Sequence, residues 1–268
     1  MNQQNEYQRP LIHRKVKANE CLAKNICYFC NKIILLIMKK ILLLTAMVLP
    51  FVFISCGDDK DEPESSNGHE YVDLGLPSGT LWATCNIGAN TPEEYGDYFA
   101  WGETKPKDIY DWESNKWFYL YSDSIGNHWK VTKYCIESNI GVVDNKTVLD
   151  PEDDAAYVNW GTSWRMPTLA QQKELIQYCT WNWTTKNGVN GRLVTGPNGK
   201  MLFLPAAGFC RDGSLESAGW TANYWSRTLT ESSYAAYYLG FDSEEVDNWN
   251  LFGRFGGMPV RAVRVSQN

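Results

Sequence analysis

Ser163-Trp164-Arg165-Met166-Pro167-Thr168-Leu169-Ala170-Gln171 sets the reading of this 268-residue chain. Thr168 and Gln171 stand three apart as a capping box, in which hydroxyl and side-chain amide each satisfy a backbone N–H at a helix start. Leu169, Gln172, Leu175, Ile176 and Cys179 then follow at helical spacing, which predicts a helix over 168–179. One other segment reads as helix. Asp150-Pro151-Glu152-Asp153 offers an N-cap Asp, a Pro at the first helical position and acids near the positive end of the dipole, predicting a helix to about Trp160.

Around these two helices lie short strand-like runs separated by turn signals. Leu81–Ile87, Tyr98–Trp101, Tyr224–Thr228, Tyr234–Phe241 and Pro259–Val265 read as strands. Arg192–Thr195 and Lys200–Leu204, joined by Gly196-Pro197-Asn198-Gly199, read as a hairpin. No Pro/Ser linker divides residues 70–268, so the expectation is one α+β domain with many short strands and two main helices.

The stretch before that domain reads as an address. Met38-Lys39-Lys40 is a basic n-region, and Ile41–Ile54 is a 14-residue apolar run, short for a membrane span but suited to a secretory h-region. It ends in Phe53-Ile54-Ser55-Cys56, and a small residue before Cys resembles the lipobox of bacterial lipoproteins, with Phe53 where Leu is commoner. Residues 38–55 are therefore expected to be a lipoprotein signal peptide and Cys56 the lipid attachment site; a plain signal anchor is the alternative. Residues 56–69 are acidic and then Pro/Ser/Gly-rich, which predicts a disordered tether. Acids directly after the Cys resemble a signal for the outer face of the outer membrane. Translation is expected to start at Met38, with 1–37 a non-native extension; Cys27-Tyr28-Phe29-Cys30 within it is a single, weak CxxC.

Composition narrows the partners. Hydrophobic residues make up 44% and charged residues 21%, the balance of a globular chain. Of 25 Lys/Arg and 31 Asp/Glu, eight bases and two acids precede Cys56, leaving 17 bases against 29 acids in the body. An acidic body without a basic stripe argues against nucleic acid. All 12 Trp fall between Trp82 and Trp249, more than a core of this size ordinarily needs.

Several blocks together resemble a known family. Tyr71-Val72-Asp73-Leu74-Gly75-Leu76-Pro77-Ser78-Gly79-Thr80-Leu81-Trp82-Ala83-Thr84-Cys85-Asn86-Ile87-Gly88-Ala89 looks like the opening of the Fibrobacter succinogenes major paralogous domain. Tyr95–Thr104, Ser163–Thr168, Phe203–Gly208, Tyr224–Ser226 and Pro259–Arg264 follow in the family's order and cover nearly all of 70–268. The Trp-Arg-Met-Pro-Thr block also resembles formylglycine-generating-enzyme-like domains. The resemblance implies a C-type-lectin-like fold with long surface loops, and places Trp82, Trp101, Trp164 and Trp225 in the core. Cys210 and Arg227 depart from the common blocks.

The chemistry those relatives perform lacks its residues here. A C-terminal cysteine pair is missing, since Cys210 alone follows Cys179, and a three-His iron site cannot be built from His69 and His128. A hydrolytic triad would rest on His128 without a nucleophile elbow. Glu93/Glu94, Asp153/Asp154 and Glu244/Glu245 admit a glycoside hydrolase reading, though adjacent acids are usually a solvated face. Asp247-Asn248-Trp249-Asn250 only partly echoes a calcium-lectin loop, so neither metal nor cofactor is expected. Cys85, Cys135, Cys179 and Cys210 allow three complete disulfide pairings. Asp123-Ser124-Ile125 resembles a bacterial O-glycosylation acceptor.

Trp and Tyr flanked by Asn, Asp and Glu suit sugar rings, which stack on aromatic faces while polar neighbours bond the hydroxyls. Trp112, Trp117, Trp249 and Asn250 are the candidate ligand-binding residues. The expected function is a non-catalytic surface lipoprotein binding a glycan or a surface protein; the alternatives are a structural or adhesin-type subunit and a hydrolase. Cys56→Ala should abolish acylation and release the protein from membranes; unchanged fractionation with no acyl mass on the wild type would defeat the anchor.

Overall fold

Residues 263–265 pair with residues 80–82, and that closure organises the fold. The computed structural model describes residues 64–66 and 68–265. The expected signal peptide over 38–55, Cys56 and residues 1–37 lie outside the described residues. In chain order the elements begin with β1 (Glu64–Ser66), β2 (His69–Asp73), β3 (Thr80–Ala83), β4 (Phe118–Ser122) and β5 (Asn127–Val131). Next come α1 (Ala155–Trp160), α2 (Leu169–Tyr178), β6 (Thr180–Lys186), β7 (Val189–Thr195) and β8 (Met201–Pro205). The last are β9 (Phe209–Arg211), β10 (Ser214–Glu216), β11 (Ala222–Leu229), β12 (Ala235–Phe241), β13 (Val246–Gly253) and β14 (Val263–Val265). Together they form an α+β architecture of small antiparallel sheets.

One sheet has the order β1-β2-β3-β14, with Val263 opposite Trp82. Two three-stranded meanders, β6-β7-β8 and β11-β12-β13, and the hairpins β4-β5 and β9-β10 complete the sheets. The Trp164–Pro167 segment links two of them. Arg165 exchanges backbone bonds with Val263 on one side, and Arg227 N–H donates to the Pro167 carbonyl on the other. Trp82, Trp101, Trp164 and Trp225 are essentially fully buried. The Trp101 indole donates to the Ser226 carbonyl and the Trp225 indole to the Phe99 carbonyl, so two core rings also cross-link the segments that carry them.

α2 starts as its sequence predicts. Thr168 accepts from Gln171 N–H, and the Gln171 side chain accepts from Thr168 N–H. The 192–204 hairpin is present as β7-β8, extended at both ends. Other expectations are corrected. The segment from Asp150 is not one helix: Pro151–Asp153 is a single 3-10 turn without a side-chain cap from Asp150, and α1 starts anew with Asp154 as cap. Asp154 wins because its buried carboxylate accepts from Ala156, Tyr157 and Met166 N–H at 2.9–3.1 Å, closing α1 and tying it to the Trp164 segment. Tyr98–Trp101 is no strand but an irregular segment with one bridge, Phe99 to Met258. The first and last strands are shorter than expected, at Thr80–Ala83 and Val263–Val265. Ala83 N–H still bonds Ala262 in the β3-β14 register, but further out Ile87 bonds Val260, two residues out of register, and the ladder stops.

Of the stretch expected to be a tether, residues 56–63 and 67 lie outside the described residues, and Glu64–Ser66 and His69 belong to strands. Glu64–Ser66 pairs with β2, and His69 stacks on Trp160 with ring centroids 3.9 Å apart. The hairpins β6-β7 and β9-β10 turn at Asn187-Gly188 and Asp212-Gly213, left-handed at both residues as the tightest hairpins require.

Arg254, after β13, is wholly buried. Its guanidinium donates to the carbonyls of Ser233 (2.9 Å), Lys133 (3.2 Å) and Tyr134 (3.4 Å), and lies 4.9 Å from the centroids of Trp101 and Phe118. Burial pushes it down to about 9, so it remains a cation at neutral pH. Its own carbonyl accepts from Trp101 N–H and the Asn115 amide. Arg254→Met should leave those carbonyls dry and cost about 3–5 kcal/mol. The thermal midpoint should fall by roughly 10 °C; a change of a degree or two would show that the cation is dispensable.

Candidate functional site

The cleft that gathers the polar residues of the C-terminal sheet forms where β12 and β13 fall out of step. Tyr238 faces Asn250 and Gly240 faces Asp247, so β13 carries one more residue than β12 between those pairs. Such a bulge interrupts the ladder and re-aims side chains. A methyl group on Gly240 would stand 2.7 Å from the Asn250 amide nitrogen, so the glycine makes room for that side chain. Asp247–Asn250 is therefore bulged strand, where the sequence suggested a loop.

The resulting cleft holds about 340 Å³ and is lined by Phe209, Tyr238, Phe241 and Phe252 alongside Ser217, Thr221, Asn223, Asp242, Glu245, Asp247 and Asn250. Its rim is braced from beneath. Buried Arg192 donates to the Asp242 carbonyl at 2.9 Å and the Trp181 carbonyl at 3.0 Å. The Asp242 carboxylate accepts from Glu245 and Glu244 N–H, which hold it below the usual carboxylate range. Burial, with the Asp247 charge adding, pushes the Tyr238 hydroxyl up, so it stays protonated and able to donate. Aromatic faces beside amide, hydroxyl and carboxylate groups can take a polyhydroxylated ligand by stacking and hydrogen bonding.

The candidates named from sequence do not gather at one place. Asn250 lines this cleft, while the side chain of Trp249 lies outside the described residues. Trp112 packs among Phe118, Trp129, Tyr234 and Phe255. Trp117 donates its indole N–H to the Gly102 carbonyl at 3.0 Å, and the Lys116 ammonium sits 4.1 Å from its ring centroid. Both are partly buried and engaged in packing. Among the described tryptophans, Trp220 stands out with 77% of its surface exposed, in the turn that also carries Ser217 and Thr221 of the cleft. Sequence reasoning missed Phe209, Tyr238 and Asn223; the Tyr238-Leu239-Gly240 step in a strand was the signal available, since a strand glycine often marks a bulge.

Of the adjacent acids, Glu245 lines the bulge cleft with Asp242 and Asp247, and the other pairs are engaged elsewhere. Asp153 and Asp154 serve separate networks, the first bound to Lys133 and Tyr134, the second capping α1. Burial pushes Asp154 up, against the N–H bonds it accepts. The Glu93 side chain accepts from the Asn187 amide, and Glu94 accepts from Asn90 N–H at 2.7 Å. His128 lies 3.3 Å from Asp123 on the β4-β5 hairpin. Cys85, Cys135, Cys179 and Cys210 are all free thiols, and burial pushes Cys179 and Cys210 up to about 11.

Carboxylate oxygens of Asp150, Glu152 and Asp153 come within 4.8 Å of one another, the spacing of a cation site. The cation is the protein's own. The Lys133 ammonium lies 2.6 Å from Asp150 and Asp153 and 3.3 Å from Glu152, with Lys116 on Asp153 and Lys146 on Asp150. A second cleft of about 540 Å³ lies between β2 and the β7-β8 turn, mixing Glu70 and Asp73 with Lys186 and Lys200.

Comparison with protein families, curated proteins and solved structures finds no match to this chain. Among the described residues, no helix is long and apolar enough to cross a membrane.

The lysine-carboxylate knot makes a pH prediction. The Lys133 and Lys146 ammoniums hold Asp150 below the usual range. Burial opposes the Asp153 charge, but Lys133, Tyr134 and Lys116 outweigh it and hold that carboxyl low as well. Their stabilisation is thus present above the unfolded value of ~3.9 and lost as pH falls through the lower folded values. Lys133→Met should cost about 2–3 kcal/mol at pH 7, less than a fully buried pair because its side chain is partly hydrated. Below pH ~4 the variant's midpoint should fall less steeply than the wild type's; parallel curves would refute the linkage.

Proposed function

We propose that the chain is an exported bacterial lipoprotein, anchored in the outer membrane through Cys56, whose body is a non-catalytic binding domain for a neutral glycan. The proposal includes membership of the Fibrobacter succinogenes major paralogous domain family and a C-type-lectin-like fold, for which the ordered sequence blocks over 70–268 and the small-sheet α+β architecture are the support. The observation that carries ligand binding is the bulge cleft, where Tyr238, Phe209 and Phe252 stand beside Asn223, Asn250 and Asp247. This shifts the site from Trp112 and Trp117, which are occupied in packing, to Asn250 and its neighbours on β11–β13.

A second reading, a structural or adhesin-type subunit that contacts other proteins, is favoured by the β4-β5 hairpin. Tyr119, Leu120 and Tyr121 are each about half exposed there, and Ile125 at its tip is 86% exposed. Apolar surface concentrated on one hairpin marks a contact face rather than scattered solvent exposure.

Thermal scans of the body, residues 57–268, against neutral oligosaccharides separate the two. A ligand at about a hundred times its Kd adds ~2.7 kcal/mol, a plainly higher midpoint. Tyr238→Ala and Asn250→Ala should each abolish that shift, and Gly240→Ala should weaken it by crowding the Asn250 amide. Trp112→Ala should lower the unliganded midpoint while leaving the remaining folded protein competent to bind. Release of reducing sugar that depends on Asp242, Glu245 or Asp247 would replace binding by hydrolysis. Absence of any shift, with Leu120→Asp abolishing capture of a membrane partner, would favour the subunit reading.

A further inference from the structure

Three arginines distant in sequence meet beside the Trp164–Pro167 segment. Arg165 is held against β14 by paired backbone bonds with Val263, which brings Arg264 alongside; the Arg227–Pro167 bond brings β11 to the other flank. Between them is a cavity of about 530 Å³ lined by Arg165, Arg227 and Arg264 together with Thr162, Ser163 and Thr168. Thr168 is also the cap of α2, whose positive dipole end therefore faces the same space.

The guanidiniums are fixed but not neutralised. Arg165 Nη1 donates to the Thr162 and Trp164 carbonyls at 2.9 and 2.7 Å, which orients the fork and spends only one of its nitrogens. Arg264 rests on the faces of Tyr71 and Trp164, 5.0 and 6.0 Å from their centroids. No carboxylate pairs with Arg165 or Arg264 among the described residues. The nearest acid to Arg227 is Asp154 at 3.9 Å, and that carboxylate already accepts from Ala156, Tyr157 and Met166. Arg227 Nε is buried without a hydrogen-bond partner. Burial pushes the Arg227 guanidinium down, Asp154 opposes that and Arg165 adds to it, so like charges are being held together. One buried carboxylate against three guanidiniums leaves an excess of positive charge around the cavity.

We propose that this cavity binds a tetrahedral oxyanion, a phosphate or sulfate group. Planar guanidinium forks match such groups through paired N–H···O bonds, and three forks with nearby hydroxyls serve more oxygens than a planar carboxylate presents. The site is separate from the bulge cleft and does not rest on the glycan reading.

The test is the thermal midpoint of the intact protein titrated with inorganic phosphate and with sulfate at constant ionic strength, using chloride and acetate as controls. One of the two oxyanions should raise the midpoint saturably, by about 3–5 °C at ten times its Kd, while the controls should not. Arg264→Gln and Arg227→Gln should each weaken binding at least about tenfold. Arg264→Lys, which keeps the charge but not the fork, should retain part of it, and Asn250→Ala should leave it unchanged. The midpoint of each variant without anion shows that it folds, and Arg264→Gln stands alone if Arg227→Gln does not. No saturable shift, an equal shift with chloride, or full binding in Arg264→Gln would overturn the site. Competition by a sulfated disaccharide or by short-chain phosphatidic acid then identifies whether the group comes from a glycan or a lipid headgroup.

Discussion

The buried guanidinium of Arg254 is the constraint on which the irregular half of the structure depends. Long stretches between β3 and α1 lack ladder partners, so their carbonyls need donors from elsewhere. Arg254 supplies them for Lys133 and Tyr134, and for Ser233 between β11 and β12, with Trp101 and Phe118 close by the charge. Its own backbone accepts from Trp101 and Asn115, so one residue joins four segments. A cation buried without a carboxylate is costly unless several dipoles converge on it. Here that demand makes the loop conformation specific. Tyr134, a bulky residue held at φ 60°, is kept there by Asp144 on its N–H and by Asp153 on its hydroxyl.

A second set of charges does the complementary job around α1. Asp153 and Asp154 are neighbours in sequence but face different parts of the molecule. One anchors the lysine knot and Tyr134, the other caps α1 and takes the Met166 amide. The acidic run from Asp150 to Asp154 is thus structural, spent on ammonium groups and helix amides. The functional proposals rest on surfaces where polar groups are not so committed.

Both proposed sites arise from interruptions of regular pairing. The bulge between β12 and β13 opens the cleft at Asn250, and the Trp164–Pro167 segment collects the arginines because it bonds β11 and β14 without being part of either sheet. A continuous ladder would have closed the first and kept Arg227 and Arg264 apart. Six of the 12 tryptophans serve packing: Trp82, Trp101, Trp164 and Trp225 are buried, and Trp112 and Trp117 pack around the Arg254 region.

What the sequence determined by itself is local. The capping box of Thr168 and Gln171, the Gly-Pro-Asn-Gly hairpin and the alternation of strand and turn are readable because their hydrogen bonds close within a few residues. The Asn187-Gly188 and Asp212-Gly213 turns carried equally local signals, though a polar strand such as Thr180–Lys186 showed no apolar run to accompany them. The choice of Asp154 over Asp150 as helix cap was not local, because it rests on the Met166 amide twelve residues on. Likewise, whether Trp117 offers its face to a ligand or to Lys116, and whether Arg165 shares a cavity with arginines 62 and 99 residues further on, is decided by long-range backbone pairing. Residue types state which chemistry is possible; which groups remain free to perform it depends on partners that only the folded chain brings within hydrogen-bonding distance.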